Sequence, residues 1–159
     1  MIKEIFARYP KLAPGIVTVG GIGRMQPAPG TWASLAALVA GLVLVRLIGF
    51  LLFIGLLVAL AWIALRACEE VLQGQEDQDP SWIVIDEVIG QWVAMLPALA
   101  MPWLAFVSFG VFRALDILKP WPINIVEEKW QSPLGAMLDD VVAGVIAGFA
   151  VAVLGQAFL

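Results

Sequence analysis

Two adjacent pairs of carboxylates stand beside long apolar runs in this 159-residue chain. Asp86 and Glu87 precede one run, and Asp139 and Asp140 stand near the start of the last one. A carboxylate close to a membrane interior is costly unless it is paired, hydrated or bound to a metal ion. The chain has no histidine and only one cysteine, Cys68, so oxygen ligands for Mg²⁺, Mn²⁺ or Ca²⁺ are favoured. We therefore predict a metal site at Asp86, Glu87, Asp139 and Asp140, although either pair alone could simply cap a helix.

A third acidic position lies between two basic ones. Asp116 follows Arg113 by three residues and precedes Lys119 by three, so Arg113 and Asp116 are neighbours on a helix face. Arg113 and Lys119 are predicted to hold phosphate oxygens, with Asp116 as a further metal ligand or as the acid–base group. Charge balancing and snorkelling at a membrane surface are the alternative explanations.

A segment rich in glycine and proline, residues 14–30, stands ahead of the first long apolar run. Its backbone N–H groups could approach an anion, and Thr31 is predicted to cap the helix that follows. We therefore add Thr31 and Arg24 to the predicted phosphate contacts. The segment matches neither a P-loop nor a dinucleotide-binding fingerprint, and a turn at the membrane surface is the alternative.

These residue types indicate phosphoryl chemistry. The absence of histidine excludes catalysis by a His triad or an imidazole base. A divalent cation would remove the repulsion between a phosphate group and an acidic site and would polarise the phosphoryl oxygens. The nucleophile is then a water activated by the metal ion or a carboxylate, and the sequence leaves both open.

Composition places these residues in a membrane protein. Hydrophobic residues make up 62% of the chain and charged residues 14%, whereas soluble domains carry about a quarter charged. The net charge of -4 and the lack of a basic stripe argue against nucleic acid as a partner. The length predicts one domain over residues 1–159, with residues 1–30 as an amphipathic segment and loop. The sequence does not determine the oligomeric state.

The apolar runs predict an all-α polytopic membrane bundle of about five to six helices. We predict spans at residues 32–48, 50–67, 83–100, 103–118 and 134–158, with a tight reversal near residues 46–50. An amphipathic helix is expected over residues 1–13, and a short surface helix or loop over 123–132. If the N-terminus is cytoplasmic, eight of the nine basic residues lie on the cytoplasmic side, as does every predicted site residue.

Three sequence blocks resemble a known family. They are PAPGTWASL at 27–35, Asp79 with IDEVIG at 85–90, and FRALDILKPWPI at 112–123 followed by GAMLDDVVAG at 135–144. In this order and spacing they resemble the phosphatidylglycerophosphatase A family, bacterial membrane enzymes that remove the terminal phosphate from phosphatidylglycerophosphate. The resemblance implies an all-α fold, Mg²⁺ dependence, a phospholipid substrate and a role in phosphatidylglycerol synthesis at the bacterial inner membrane. It also implies that the site is formed by five carboxylates, with Arg113 and Lys119 beside them: Asp86, Glu87, Asp116, Asp139 and Asp140. Of these we predict that Asp86, Asp116 and Asp140 are catalytic.

Two other function classes remain open from the sequence. A small transporter coupled to a cation or proton would use the same carboxylates, but would need them near the membrane midplane. A non-enzymatic assembly factor would use the GxxxG pair, Gly144 and Gly148, to contact another helix.

Overall fold

The computed structural model describes residues 2–77, 80–99, 101–130 and 132–157, apart from the side chain of Glu127. Within these ranges all regular structure is helical, which confirms the predicted all-α fold. Asp79, a member of the second sequence block, lies outside the described residues. The α-helices are α1 (Ile2–Arg8), α2 (Leu12–Val17), α3 (Pro29–Ile48), α4 (Phe50–Val71), α5 (Ile85–Met95), α6 (Pro102–Leu118), α7 (Ile123–Lys129) and α8 (Pro133–Gln156).

The N-terminal region contains more helical structure than predicted, divided into shorter segments. The single helix expected over residues 1–13 is two helices, α1 and α2, because Pro10 has no N–H to continue the first one. The expected loop over 14–30 contains the end of α2 and a 3-10 segment, Val19–Arg24, in which Gly20 and Gly21 have positive φ. Glycine tolerates this conformation because it lacks Cβ.

Helices α3 and α4 form the predicted apolar hairpin. The chain reverses at Gly49, whose φ of 79° lies in the left-handed region, within the reversal predicted near residues 46–50. The start of α3 differs from the prediction: Ala28 is the N-cap and Pro29 the first helical residue, so Thr31 lies inside the helix. Proline is favoured there because its missing N–H would have no partner in the helix.

Three of the described helices, α3, α4 and α8, are long and apolar enough to cross a membrane. Helix α6 has 17 residues and α5 only 11, about 16 Å of helix against a hydrocarbon core of about 30 Å. The predicted span at 83–100 is shorter because α5 ends at Met95 and a 3-10 segment containing Pro97 follows it. The prediction of five spans is therefore not confirmed.

Helix α5 lies at the centre of the bundle. Nine of its eleven residues are buried, and α3, α4, α6 and α8 all pack on it. The indole N–H of Trp92 donates to the Ala37 carbonyl over 2.8 Å, and its ring lies 5.0 Å from that of Phe53. Polar side chains at the start of α5 are thereby held within the bundle.

Helices α5 and α8 cross in close contact. A Cβ atom at Gly144 would lie 2.5 Å from the carbonyl oxygen of Gly90, and one at Gly148 would lie 3.3 Å from that of Ala94. The GxxxG pair therefore contacts a helix of the same chain, as its small residues predict. This crossing brings the beginning of α8 beside the beginning of α5.

Candidate active site

The ends of several helices meet at one end of the bundle and enclose an acidic pocket. Its charged side chains come from the first turn of α5, the second turn of α8 and the C-terminal end of α6. The pocket has a volume of about 190 Å³. It is lined by Ser81, Ile83, Asp86, Glu87, Asp116, Lys119, Ala136, Asp139 and Asp140.

Asp86, Glu87 and Asp140 form the core of this pocket. One carboxylate oxygen from each lies within 4.8 Å of the others, although Asp140 comes from a different helix. Asp86 and Asp140 are buried, with exposed fractions of 7% and 3%. Two unit charges at such a distance repel by roughly 3–4 kcal/mol at an effective dielectric constant of about 20. Three carboxylates this close therefore favour a bound cation between them.

The donor set fits a hard divalent cation. Glu87 Oε2 is buried and has no hydrogen-bond partner among the described residues, so a carboxylate oxygen is left for another ligand. Asp86 Oδ1 accepts a hydrogen bond of 3.2 Å from the Glu87 N–H, which orients the Asp86 carboxylate. Oxygen atoms of this kind are the ligands that Mg²⁺, Mn²⁺ and Ca²⁺ prefer.

The fourth predicted metal ligand, Asp139, has a different environment. Its Oδ2 lies 2.7 Å from Lys119 Nζ, and its Oδ1 accepts a hydrogen bond of 2.8 Å from the Asp140 N–H. Asp139 lines the pocket, but it is not a member of the three-carboxylate group. Lys119 follows the last residue of α6 and adds a positive charge to the pocket.

Asp116 and Arg113 form an ion pair on α6. The two charged groups are 2.5 Å apart, and the side chains are only 14% and 12% exposed. Asp116 lines the pocket, whereas Arg113 is not among the lining residues. Arg113 Nη1 also lies 3.9 Å from Glu87 Oε1, so its charge acts on the carboxylates from behind the pocket wall.

The structure does not bring the other two predicted phosphate contacts to the pocket. Arg24 is exposed at the end of the 3-10 segment, Thr31 lies in the first turn of α3, and neither lines the pocket. The glycine-rich segment instead packs on the chain just ahead of α5. A Cβ atom at Gly23 would overlap the Trp82 carbonyl, and Val84 N–H donates to the Val17 carbonyl over 2.9 Å.

Two residues at the site were not predicted from their types. Gly30 lies against the Glu87 carboxylate, and Ser34 Oγ lies 3.4 Å from Arg113 Nη1. Neither residue is titratable, so residue type alone does not indicate a role for either of them at a charged site. Both residues lie in the sequence block at 27–35, and a glycine in such a block can indicate a place where another group approaches the backbone closely.

A bundle with long apolar helices and a terminal pocket of carboxylates and lysine defines a membrane protein with a site suited to a divalent cation and a phosphate group. The family model described as Phosphatidylglycerophosphatase A matches residues 15–155, which is most of the chain. The chain belongs to the phosphatidylglycerophosphatase A family.

Individual relatives support this assignment. The chain is 36% identical over 135 residues to a Haemophilus influenzae protein named Phosphatidylglycerophosphatase A, covering 83% of this chain and 82% of that protein. It is 34% identical to the Escherichia coli protein of the same name, covering 83% and 77%. It is also 32% identical to a Bacteroides thetaiotaomicron protein named "Putative phosphatidylinositol-3-phosphatase", covering 92% and 96%. No solved structure matches the chain significantly.

Proposed function

We propose that this protein is a Mg²⁺-dependent lipid phosphatase that hydrolyses phosphatidylglycerophosphate to phosphatidylglycerol and inorganic phosphate. The observation that carries the proposal is the meeting of Asp86, Glu87 and Asp140 in a pocket that Lys119 also lines. The choice of phosphatidylglycerophosphate as the substrate is based on the family and on the names of the two phosphatidylglycerophosphatase relatives. The position of the carboxylates toward the ends of their helices argues against the transporter alternative.

In this proposal Asp86, Glu87 and Asp140 hold the metal ion. A bound Mg²⁺ ion would polarise the phosphoryl oxygens and offset their repulsion by the carboxylates. Lys119 is assigned to the phosphate because its ammonium group lines the same pocket. Asp139 is assigned to keep Lys119 in place through their 2.7 Å contact.

The proposed reaction is the hydrolysis of a phosphate monoester. A water oxygen bonds to phosphorus while the bond between phosphorus and the glycerol oxygen breaks. Asp116 accepts a proton from the attacking water and passes a proton to the glycerol oxygen, so the products are phosphatidylglycerol and inorganic phosphate. Asp116 suits this role because it lines the pocket without belonging to the three-carboxylate group.

We place the protein in the bacterial cytoplasmic membrane with the pocket facing the cytoplasm. The apolar helices expose large hydrophobic side chains that suit contact with lipid. They include Val39, Val43, Leu47, Leu51, Leu52, Val58, Val145, Phe149 and Val153. The acyl chains of the substrate would then stay in the bilayer while its head group enters the pocket.

The test is phosphate release by the purified protein in detergent micelles containing phosphatidylglycerophosphate, with Mg²⁺ or with EDTA. Asp86→Asn and Asp140→Asn should each lower kcat/KM roughly a thousandfold, about 4 kcal/mol of transition-state stabilisation. Asp77→Asn, which neutralises an exposed acid after α4, is the matched control and should match the wild type. Full activity of both folded site variants would contradict the site assignment.

The name of the Bacteroides relative motivates a second substrate for the same assay, phosphatidylinositol 3-phosphate. We expect kcat/KM to be higher for phosphatidylglycerophosphate than for phosphatidylinositol 3-phosphate. A higher value for phosphatidylinositol 3-phosphate would replace the proposed substrate but leave the carboxylate site in place.

A further inference from the structure

Arg113 is built into the wall behind the carboxylates. Its side chain is 12% exposed and makes the ion pair with Asp116. Its Nη1 lies 3.4 Å from Ser34 Oγ and 3.9 Å from Glu87 Oε1. Because Arg113 does not line the pocket, it is poorly placed to contact a phosphate group that occupies the pocket.

Ser34 is a fully buried polar residue in the second turn of α3, 79 positions before Arg113. Its hydroxyl donates to the Gly30 carbonyl over 2.8 Å. The hydroxyl proton is therefore committed, and Ser34 Oγ meets Arg113 as an acceptor. This contact joins α3 to the charged network of α5 and α6.

Gly30 completes the contact between α3 and the site. A Cβ atom at this position would overlap the Glu87 carboxylate and would lie 3.1 Å from Arg113 Nη2. The space at Gly30 is therefore occupied by the two charged groups themselves. Any larger residue would have to displace Glu87 from its place beside Asp86 and Asp140.

Arg113 and Glu87 are farther apart than a directly hydrogen-bonded ion pair. A charge-assisted hydrogen bond between guanidinium and carboxylate is typically about 2.7–2.9 Å long. At the observed distance of 3.9 Å, Arg113 attracts Glu87 electrostatically but does not form a direct hydrogen bond with it. Ser34 and Asp116 hold the guanidinium on its other contacts, so Glu87 keeps a carboxylate oxygen that has no hydrogen-bond partner among the described residues.

We propose that Gly30, Ser34 and Arg113 form a positioning clamp that keeps Glu87 available to a metal ion. Ser34 and Gly30 act through Arg113 and Glu87 and do not touch the substrate. Without the Ser34 hydroxyl, Arg113 either moves away from Glu87 or closes onto it. Both changes weaken metal binding, the first by freeing Glu87 to move and the second by occupying its oxygens. The clamp rests on the metal site of the proposed function.

The test measures Mg²⁺ binding to the purified protein by calorimetry in detergent, without lipid substrate. Ser34→Ala should raise the Kd for Mg²⁺ roughly tenfold, and Gly30→Ala roughly a hundredfold, the range seen when residues that orient metal ligands are removed. The matched controls should leave the Kd unchanged. Ser108→Ala removes another fully buried serine hydroxyl, and Gly55→Ala adds a methyl group where nothing lies within 4 Å.

Kinetics separate positioning from phosphate binding. At saturating Mg²⁺, Ser34→Ala should leave the KM for lipid within about twofold of the wild type. An unchanged Kd for Mg²⁺ in Ser34→Ala, or a raised KM with an unchanged Kd, would overturn the clamp. If the wild type binds Mg²⁺ but releases no phosphate from any lipid tested, the proposed function fails, and the Kd values still decide the clamp.

Discussion

At the scale of single residues, Lys119 is the cation best placed to meet the substrate. It lines the pocket, and its ammonium group is held 2.7 Å from Asp139 Oδ2. A hydrogen bond to a charged group contributes about 1.5–3 kcal/mol. Lys119→Gln should therefore raise the KM for phosphatidylglycerophosphate roughly tenfold to a hundredfold, measured by initial rates of phosphate release. Lys129→Gln, which removes an exposed lysine at the end of α7, should have no such effect. An unchanged KM in Lys119→Gln would show that the phosphate is held elsewhere.

Residue types predicted carboxylates that the structure brings to one pocket, but not the position of every charged group relative to it. Asp86 and Asp140 stood out because an acid beside an apolar run needs an explanation. Arg113 looked like a phosphate ligand because a guanidinium suits phosphate oxygens. Behind the pocket it contacts Ser34, which is 79 residues away in sequence, and local spacing carries no information about such a contact. A neutral glycine or serine gains its importance only from what packs against it.

At the scale of helices, the crossing of α5 and α8 places Asp140 beside Asp86 and Glu87. A Cβ atom at Gly90 would lie 2.6 Å from the Phe112 ring and 2.8 Å from the Asp140 carbonyl oxygen. Gly90→Ala should therefore lower the free energy of unfolding by about 1–3 kcal/mol, as overpacking usually does. Denaturant unfolding in detergent, followed by tryptophan fluorescence, measures this change. Gly110→Ala on α6 is the control and should be neutral or stabilising, since nothing lies within 4 Å of its Cβ position. Equal stability of Gly90→Ala and the wild type would show that the helices can separate without cost.

The sequence predicted helices better than it predicted their ends. Long, mainly apolar runs predicted α3, α4 and α8, and Gly49 lies within the reversal predicted between the first two. The predicted start of α3 was wrong. Thr31 was predicted to cap the helix, whereas the helix begins at Pro29, and both residue types are common at helix starts. The short length of α5 could not be predicted from hydrophobicity. Its apolar residues face neighbouring helices, and a run buried in protein looks the same as one that crosses lipid.

At the scale of the whole molecule, the site lies at one end of the helix bundle and the apolar surface lies along its sides. The pocket lies at the end where α3, α5 and α8 begin and α6 ends, and the exposed hydrophobic side chains cover the outer helices. This arrangement suits a substrate whose phosphate is at a membrane surface and whose chains are in the bilayer. The proposed cytoplasmic orientation of the pocket rests on the basic residues, eight of nine of which fall on the side predicted to be cytoplasmic.

The two ends of α3 can test this orientation. The helix has 20 residues, about 30 Å, enough to cross the hydrocarbon core. With the single cysteine removed by Cys68→Ala, Met25→Cys places a thiol near the pocket end and Phe50→Cys places one at the reversal; both positions are about half exposed. In intact spheroplasts, a membrane-impermeant thiol reagent should label Phe50→Cys, and should label Met25→Cys only after the membrane is opened. The opposite pattern would place the pocket outside the cell membrane. Labelling of both positions in intact spheroplasts would show that α3 does not cross the membrane, and the substrate would then have to reach the pocket by another route.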